Sequence, residues 1–447
     1  MAVLIDMATF FFVLLQVLLL FSASHVRALK DAAQTIHNDG DAHVGIHQHL
    51  DEESHMKASS LSTAVSEKNL LPNLFFTCPE AIFVFGDSLS DTGNVQIAFP
   101  GIPLTTLNYP YGESYNFTNE PGRNRYCDGR IVPDFIAQAF GFPFIEPILL
   151  ENVPGFPINF THGVNFAYAG ATAEPKTNFT PVYLELELEQ FFTYKAALSN
   201  SPQSPTPLSF VSNAAYLILE IGGDDFFYEY LKGVTPQTVI QNNVSNAVAA
   251  LVSTVEKLIQ SGAKTIIVGN QPPQGCNPAI LTAFSGIPGI AKDSNGCLIE
   301  YTQVDREFNS QLQFQLTLLQ AVQPLGITII QFDFYSAVVE LITNPATYGF
   351  NSSTPLKVCC GFGGEYNYNP FVNCGNSGFV PLPSGGSQFV NISTAPNPQE
   401  YIQWDGVHFT QAAYKTIATF LLEGRFVTSA IPGFNLAQAC NLNFSQF

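Results

Sequence analysis

From Pro79 onward, short apolar runs alternate with longer amphipathic stretches. Residues 81–85 (AIFVF) form an unbroken apolar run ending at Gly86, and 215–221 (AYLILEI), apolar but for Glu220, end at Gly222-Gly223; both predict buried strands. Residues 265–268 and 327–332 predict two more. Between them, 236–260 is apolar at Val239, Ile240, Val244, Ala247, Val248, Leu251, Val255 and Leu258, the spacing of one helix ended near Ser261-Gly262. Residues 306–322 and 410–422 predict two further helices. This alternation predicts an α/β fold, a parallel sheet with helices on both faces, and ligands of such folds bind beyond the carboxyl ends of the strands. From about 344 to 399 the periodicity gives way to Gly, Pro, Asn and Cys. That composition predicts a long irregular insertion, held by disulfides and able to line one wall of a pocket.

The N-terminal pattern is different. An apolar run over 10–21 is followed by Ser22, Ala23 and Ser24, as in the apolar and cleavage regions of a secretory signal, although the preceding residues lack Lys and Arg and include Asp6. A membrane anchor is the alternative, but the run is shorter than the roughly 20 apolar residues of a spanning helix. The expected organisation is a signal peptide over 1–28, a polar His-rich linker or propeptide over 29–77, and one folded domain over 78–447. His25, His37, His43, His47, His49 and His55 all precede that domain; a metal-binding tract is the other reading of them, without Cys partners to support it. Only His162 and His408 remain for the domain.

Composition narrows the function. With 447 residues, 46% hydrophobic and 12% charged, the chain can bury one large core. Its 36 acidic against 17 basic residues give a formal charge of −19, which disfavours nucleic acid and anionic membranes as partners. No amphipathic Lys-rich segment suited to docking on lipid is present. Sequons at Asn116, Asn159, Asn178, Asn243, Asn351, Asn391 and Asn443 predict N-glycans on surface loops. The eight cysteines, Cys78, Cys127, Cys276, Cys297, Cys359, Cys360, Cys374 and Cys440, include no CxxC pair of the zinc-binding kind and predict disulfides of unspecified connectivity. The 39 Phe and 17 Tyr are read first as core, with an aromatic pocket as the alternative.

Two segments carry chemistry. In Phe83-Val84-Phe85-Gly86-Asp87-Ser88-Leu89-Ser90-Asp91-Thr92-Gly93-Asn94, Ser88 falls on the turn after the first strand, where a nucleophile is exposed near the start of the next helix; capping that helix is its alternative role. In Trp404-Asp405-Gly406-Val407-His408-Phe409-Thr410, a carboxylate three residues ahead of an imidazole can accept Nδ1–H and leave Nε2 free to take a proton from a serine; here too helix capping by Asp405 is the alternative. His162, the competing base, has no carboxylate nearby and adjoins the sequon at Asn159, so it is read as structural.

Together these segments resemble the plant GDSL esterase/lipase family within the SGNH hydrolases. Gly86-Asp87-Ser88-Leu89 and Asp405-Gly406-Val407-His408 match its first and last blocks, Gly163-Val164-Asn165-Phe166-Ala167-Tyr168-Ala169-Gly170-Ala171 its glycine block, and Ile221-Gly222-Gly223-Asp224-Asp225-Phe226 its third; 269–278 is similar to a further recurrent stretch. The resemblance implies a three-layer α/β/α fold, a Ser88–His408–Asp405 relay, and an oxyanion hole formed by the N–H groups of Ser88 and Gly170 with a side chain at position 224. The family's Asn is replaced there by Asp224, an acceptor only when ionised. Asp224 is therefore expected to be protonated beside Asp225, to be turned away, or to mark a different reaction.

The leading expectation is a secreted serine esterase, extracellular in the cell wall or vacuolar, that cleaves small acylated metabolites or sugars through a Ser88 acyl-enzyme. Acyl transfer to an alcohol or acid, and a catalytically weakened binding or defence glycoprotein, are the alternatives. No cofactor or metal is expected, since the relay needs neither.

Overall fold

A computed structural model of the protein describes residues 76–444 except 101–105, 107–108, 116, 118–124, 156–158, 177–178, 201–207 and 383–384. The expected signal and linker, with their histidines, and the sequons at Asn116 and Asn178 lie outside the described residues. What is described belongs to one unit, Phe75–Phe447.

Five parallel strands carry the architecture: β1 (Ala81–Phe85), β2 (Gly163–Asn165), β3 (Ala214–Ile218), β4 (Thr265–Gly269) and β5 (Thr328–Phe332). A separate antiparallel hairpin, β6 (Ser377–Pro381) with β7 (Ser387–Asn391), lies in the insertion, and the short β8 (Val427–Thr428) adds an antiparallel edge. The main sheet runs β2-β1-β3-β4-β5-β8, so the strand leading to Ser88 lies inside it. All residues of β1, β3 and β4 are buried, which is why these strands read as continuous apolar runs without alternation. On one face Phe83 meets Phe191 at 5.4 Å and Phe85 stacks on Phe166 at 5.4 Å.

Among the helices are α1 (Asn94–Ala98), α2 (Val132–Ala139), α3 (Leu184–Asn200), α4 (Gly223–Leu231), α5 (Ser245–Gln260), α6 (Ile299–Ala321), α7 (Phe334–Thr343) and α8 (Gln411–Leu422). Helices α3, α5 and α6 pack as one group and α2, α8 and α7 as another, giving the expected three-layer α/β/α arrangement.

Four expectations need correction. The strand expected over 215–221 stops pairing at Ile218, because its last partners are Phe85, just before β1 turns at Gly86, and Val268. The helix expected over 236–260 is interrupted by a π-helical stretch, Ile240–Val244. Val239 and Val244 are both buried five residues apart, a spacing that an i→i+5 turn satisfies and an α-turn does not. Helix α6 starts seven residues before the expected 306, its period masked by Thr302 and Asp305 on the buried face. Of the five described sequons, Asn243 lies in the π-helical stretch and Asn391 ends β7, so these two are not on loops.

The cysteines are the fifth correction. Cys78–Cys440, Cys276–Cys297 and Cys360–Cys374 are paired, while Cys127 and Cys359 are free and buried. Cys127 instead donates its thiol to the Gly129 carbonyl at 2.9 Å. Cys359 and Cys360 donate their backbone N–H groups to the Gln403 and Trp404 carbonyls, and of the two only Cys360 is bonded to Cys374. The 344–399 insertion thus contains one disulfide, not several, among the described residues.

Candidate active site

The first strand ends where Gly86 takes φ 134°, and a Cβ there would lie 2.5 Å from the Glu220 carbonyl oxygen. Only glycine fits that approach. The chain then closes tightly: the Asp87 carbonyl accepts from the N–H groups of Ser90 and Asp91, and its carboxyl oxygen from Leu89 at 3.0 Å. Ser88 is thereby presented beyond the carboxyl end of β1.

The second segment arrives from the far end of the chain. Asp405 Oδ1 accepts from the backbone N–H groups of Gly406, Val407 and His408 at 2.9–3.0 Å, which folds 405–408 into a turn around the carboxylate. Its Oδ2 lies 2.8 Å from His408 Nδ1, and His408 Nε2 lies 2.8 Å from Ser88 Oγ. With Nδ1–H donated to Asp405, Nε2 is left to accept from the Ser88 hydroxyl. Burial alone would push the Asp405 carboxyl up, but the His408 imidazole and the N–H groups of His408 and Val407 outweigh it and hold it below the usual range.

Neither segment serves as a cap. Asp91, not Ser88, accepts from Gly93, Asn94 and Val95 at the start of α1, and Thr410, not Asp405, accepts from Ala413 at the start of α8. His162 stands at the other sheet edge: its carbonyl pairs with Ile82 near the start of β1, and its ring stacks on Phe142 at 4.4 Å.

Gly170 reaches the site on a loop fixed by side chains. Asp91 Oδ2 accepts from Ala169 N–H at 2.9 Å, Asn94 Nδ2 donates to the Asn165 and Ala167 carbonyls, and Asn165 Nδ2 donates to the Ser90 carbonyl. Gly170 has φ 78°, and a Cβ there would lie 2.6 Å from the Phe179 ring. No acceptor among the described residues takes the N–H of Ser88 or Gly170.

Asp224 is half-buried in the first turn of α4. Burial first, then the charges of Glu220 and Asp225, push its carboxyl well above the ordinary range. Asp87 is pushed up in the same way, by burial, by the Glu220 charge and by a hydrogen bond to Glu220. Asp225 meanwhile turns to Lys176 Nζ at 3.3 Å and the Ala173 N–H at 2.6 Å, and burial, partly offset by these groups, raises it to about 6. The foremost charge acting on Asp224 is therefore Glu220, ahead of the Asp225 expected from sequence.

Glu220 and Tyr111 were not anticipated. Tyr111 donates its hydroxyl to Asp405 Oδ2 at 2.7 Å and sets its ring against Trp404. A carboxylate at the end of an apolar run, directly before Ile221-Gly222-Gly223, was the available signal for Glu220; nothing in the sequence near Tyr111 points to Asp405. The stretch 269–278 acquires a role as well, since Gln271 and Gln274 donate to the Ile221 and Gly223 carbonyls at 2.7 Å and brace the turn that leads to Asp224.

The model of the GDSL-like lipase/acylhydrolase family matches residues 82–421. The chain belongs to that family. Acetylajmalan esterase of Rauvolfia serpentina is 35% identical to this GDSL protein over 358 residues, covering 78% of this chain and 86% of that one. GDSL esterase/lipase At5g45910 of Arabidopsis thaliana is 34% identical over 381 residues, 83% of this chain and 96% of that one. Family membership makes the protein a carboxylic ester hydrolase.

Beside His408 the GDSL protein has a cleft of about 170 Å³. It is lined by Tyr111, Tyr126, the 405–408 turn, Tyr368 and residues of the Cys360–Cys374 loop. The Tyr126 ring lies 5.1 Å from the His408 ring. The insertion thus supplies a pocket wall, as its composition predicts.

Proposed function

We propose that this chain is a secreted esterase that cleaves small acylated alcohols through an acyl-enzyme on Ser88. The observation that carries the reading is the continuous chain of contacts from Ser88 Oγ through His408 to Asp405, with 2.8 Å at each step. In this reading His408 Nε2 takes the Ser88 proton as Oγ attacks the ester carbonyl, and Asp405 stabilises the resulting imidazolium. The oxyanion forms facing the unengaged N–H groups of Ser88 and Gly170, and a protonated Asp224 donates a third hydrogen bond. His408 then returns the proton to the departing alcohol, and water releases the acyl group by the same steps in reverse.

Secretion is supported by three disulfides and by exposed sequons at Asn159, Asn351 and Asn391. Among the described residues no helix is long and apolar enough to cross a membrane. The similarity to acetylajmalan esterase favours a short acyl group such as acetyl.

The test uses the secreted, disulfide-intact protein. A fluorophosphonate should label the wild type at Ser88, and Ser88→Ala should lose labelling and lower p-nitrophenyl acetate turnover by about 10⁴-fold or more. A Ser88→Ala variant with a tenth or more of wild-type turnover would show that the reaction runs elsewhere.

A further inference from the structure

The proton that His408 Nε2 takes from Ser88 goes to the departing oxygen, so the alcohol half of an ester lies on the His408 side of Ser88 and the acyl half on the Gly170 side. On the Gly170 side the backbone packs directly against the Phe179 ring. On the His408 side lies the cleft of about 170 Å³. We infer, on the acyl-enzyme reading above, that this cleft is the subsite for the alcohol half and takes a neutral, hydroxylated single ring of the kind a sugar or cyclitol presents.

Size is the first argument. An apolar cavity of about 150 Å³ accommodates benzene in another protein, so this cleft is suited to about one six-membered ring. Its lining is the second. Tyr111, Tyr126 and Tyr368 give it broad aromatic surface, while Asn369 and Asn373 give it amides. Asn369 Oδ1 accepts from Phe371 N–H, but its Nδ2, the Asn373 side-chain amide and the Tyr368 hydroxyl engage no other group among the described residues. Three uncommitted hydrogen-bonding groups around aromatic rings match a ring that carries hydroxyls on its rim.

Charge is the third argument. Among the described residues, Asp405 is the one carboxylate in the lining, and no Lys or Arg lines it. Its two oxygens already accept from three backbone N–H groups, the His408 ring and Tyr111. An anionic alcohol would meet that carboxylate with no basic partner. A cationic one would find the carboxylate occupied and, once His408 is protonated, a neighbouring positive charge.

The experiment compares three acetates that share the acyl group and differ in the alcohol: a monoacetylated methyl hexoside, ethyl acetate and acetylcholine. For the wild type, kcat/KM for the hexoside acetate should exceed the other two by about tenfold or more. Asn373→Ala and Tyr368→Phe, changes at an exposed amide and a single hydroxyl, should each reduce the hexoside-to-ethyl ratio by about three- to tenfold. A ratio unmoved in both variants, or a preference for acetylcholine, overturns the subsite even though the esterase reading stands. A wild type that neither hydrolyses ethyl acetate nor takes up a fluorophosphonate overturns the acyl-enzyme reading and the subsite with it.

Discussion

At position 224 a carboxyl stands where the family resemblance implies an amide, and on the proposed reading its protonation sets what it does to a developing oxyanion. Burial and Glu220 keep the proton on Asp224 well above the pH at which a solvated Asp loses it. Protonated, the group donates; ionised, it accepts and repels. As pH rises through the raised pKa the donor is lost, so hydrolysis should fall on the alkaline side. Asp224→Asn keeps a donor at every pH. Its kcat/KM for p-nitrophenyl acetate should match the wild type in acid and exceed it, by up to about 10²-fold, above the wild-type alkaline limb. Profiles that coincide throughout would remove Asp224 from the oxyanion site. Asp405 and His408 were legible in the sequence because three residues separate them, and Ser88 because it follows a strand and a glycine. Tyr111 was not, since 294 positions separate it from the carboxylate it touches.

Between residue and fold, Asp91 links two elements. It accepts from Gly93, Asn94 and Val95 at the head of α1 and from Ala169 in the loop that delivers Gly170. Burial raises this carboxyl although these N–H groups pull it down, so it is a costly group to keep in place. Asp91→Ala should let the Gly170 loop drift from the oxyanion position and lower kcat by about tenfold or more with KM little changed, whereas Asp91→Asn, which can still accept, should recover most of the loss. A rise in KM together with a fall in kcat, equal in both variants, would mean general disorder of the site. At this scale the sequence was informative where one face of an element is uniformly apolar, as in β1, β4 and α8. It misled where polar groups sit on the buried face, as Thr302 and Asp305 do in α6, or where a π-turn restores alignment, as between Val239 and Val244.

Over the whole molecule several buried or half-buried acids share one bias. Burial raises Asp87, Asp91, Glu187, Asp224 and Asp305 above their ordinary range, and Asp225 to about 6. In the unfolded chain these groups ionise near pH 4, so from about there up to their raised values the folded state binds more protons and loses stability as pH increases. Asp405 works the other way, contributing above about pH 4 and losing its contribution below it. The formal charge of −19 adds self-repulsion in the same alkaline direction as the larger group. The Tm by scanning calorimetry should be about 5 °C or more higher at about pH 5 than at about pH 8, and a flat or rising profile would contradict the raised values. The Cys78–Cys440 disulfide has a consequence of its own. Its two Cα atoms are 5.4 Å apart, so both extremities of the folded unit emerge at one spot. A short linker can therefore join them, with new termini opened in the exposed turn 286–289, where Cys276–Cys297 still clasps the cut ends. In such a circular permutant the hydroxyl and the imidazole, 320 positions apart in the natural order, would be separated in sequence only by residues 409–440, the linker and residues 78–87, without moving in space.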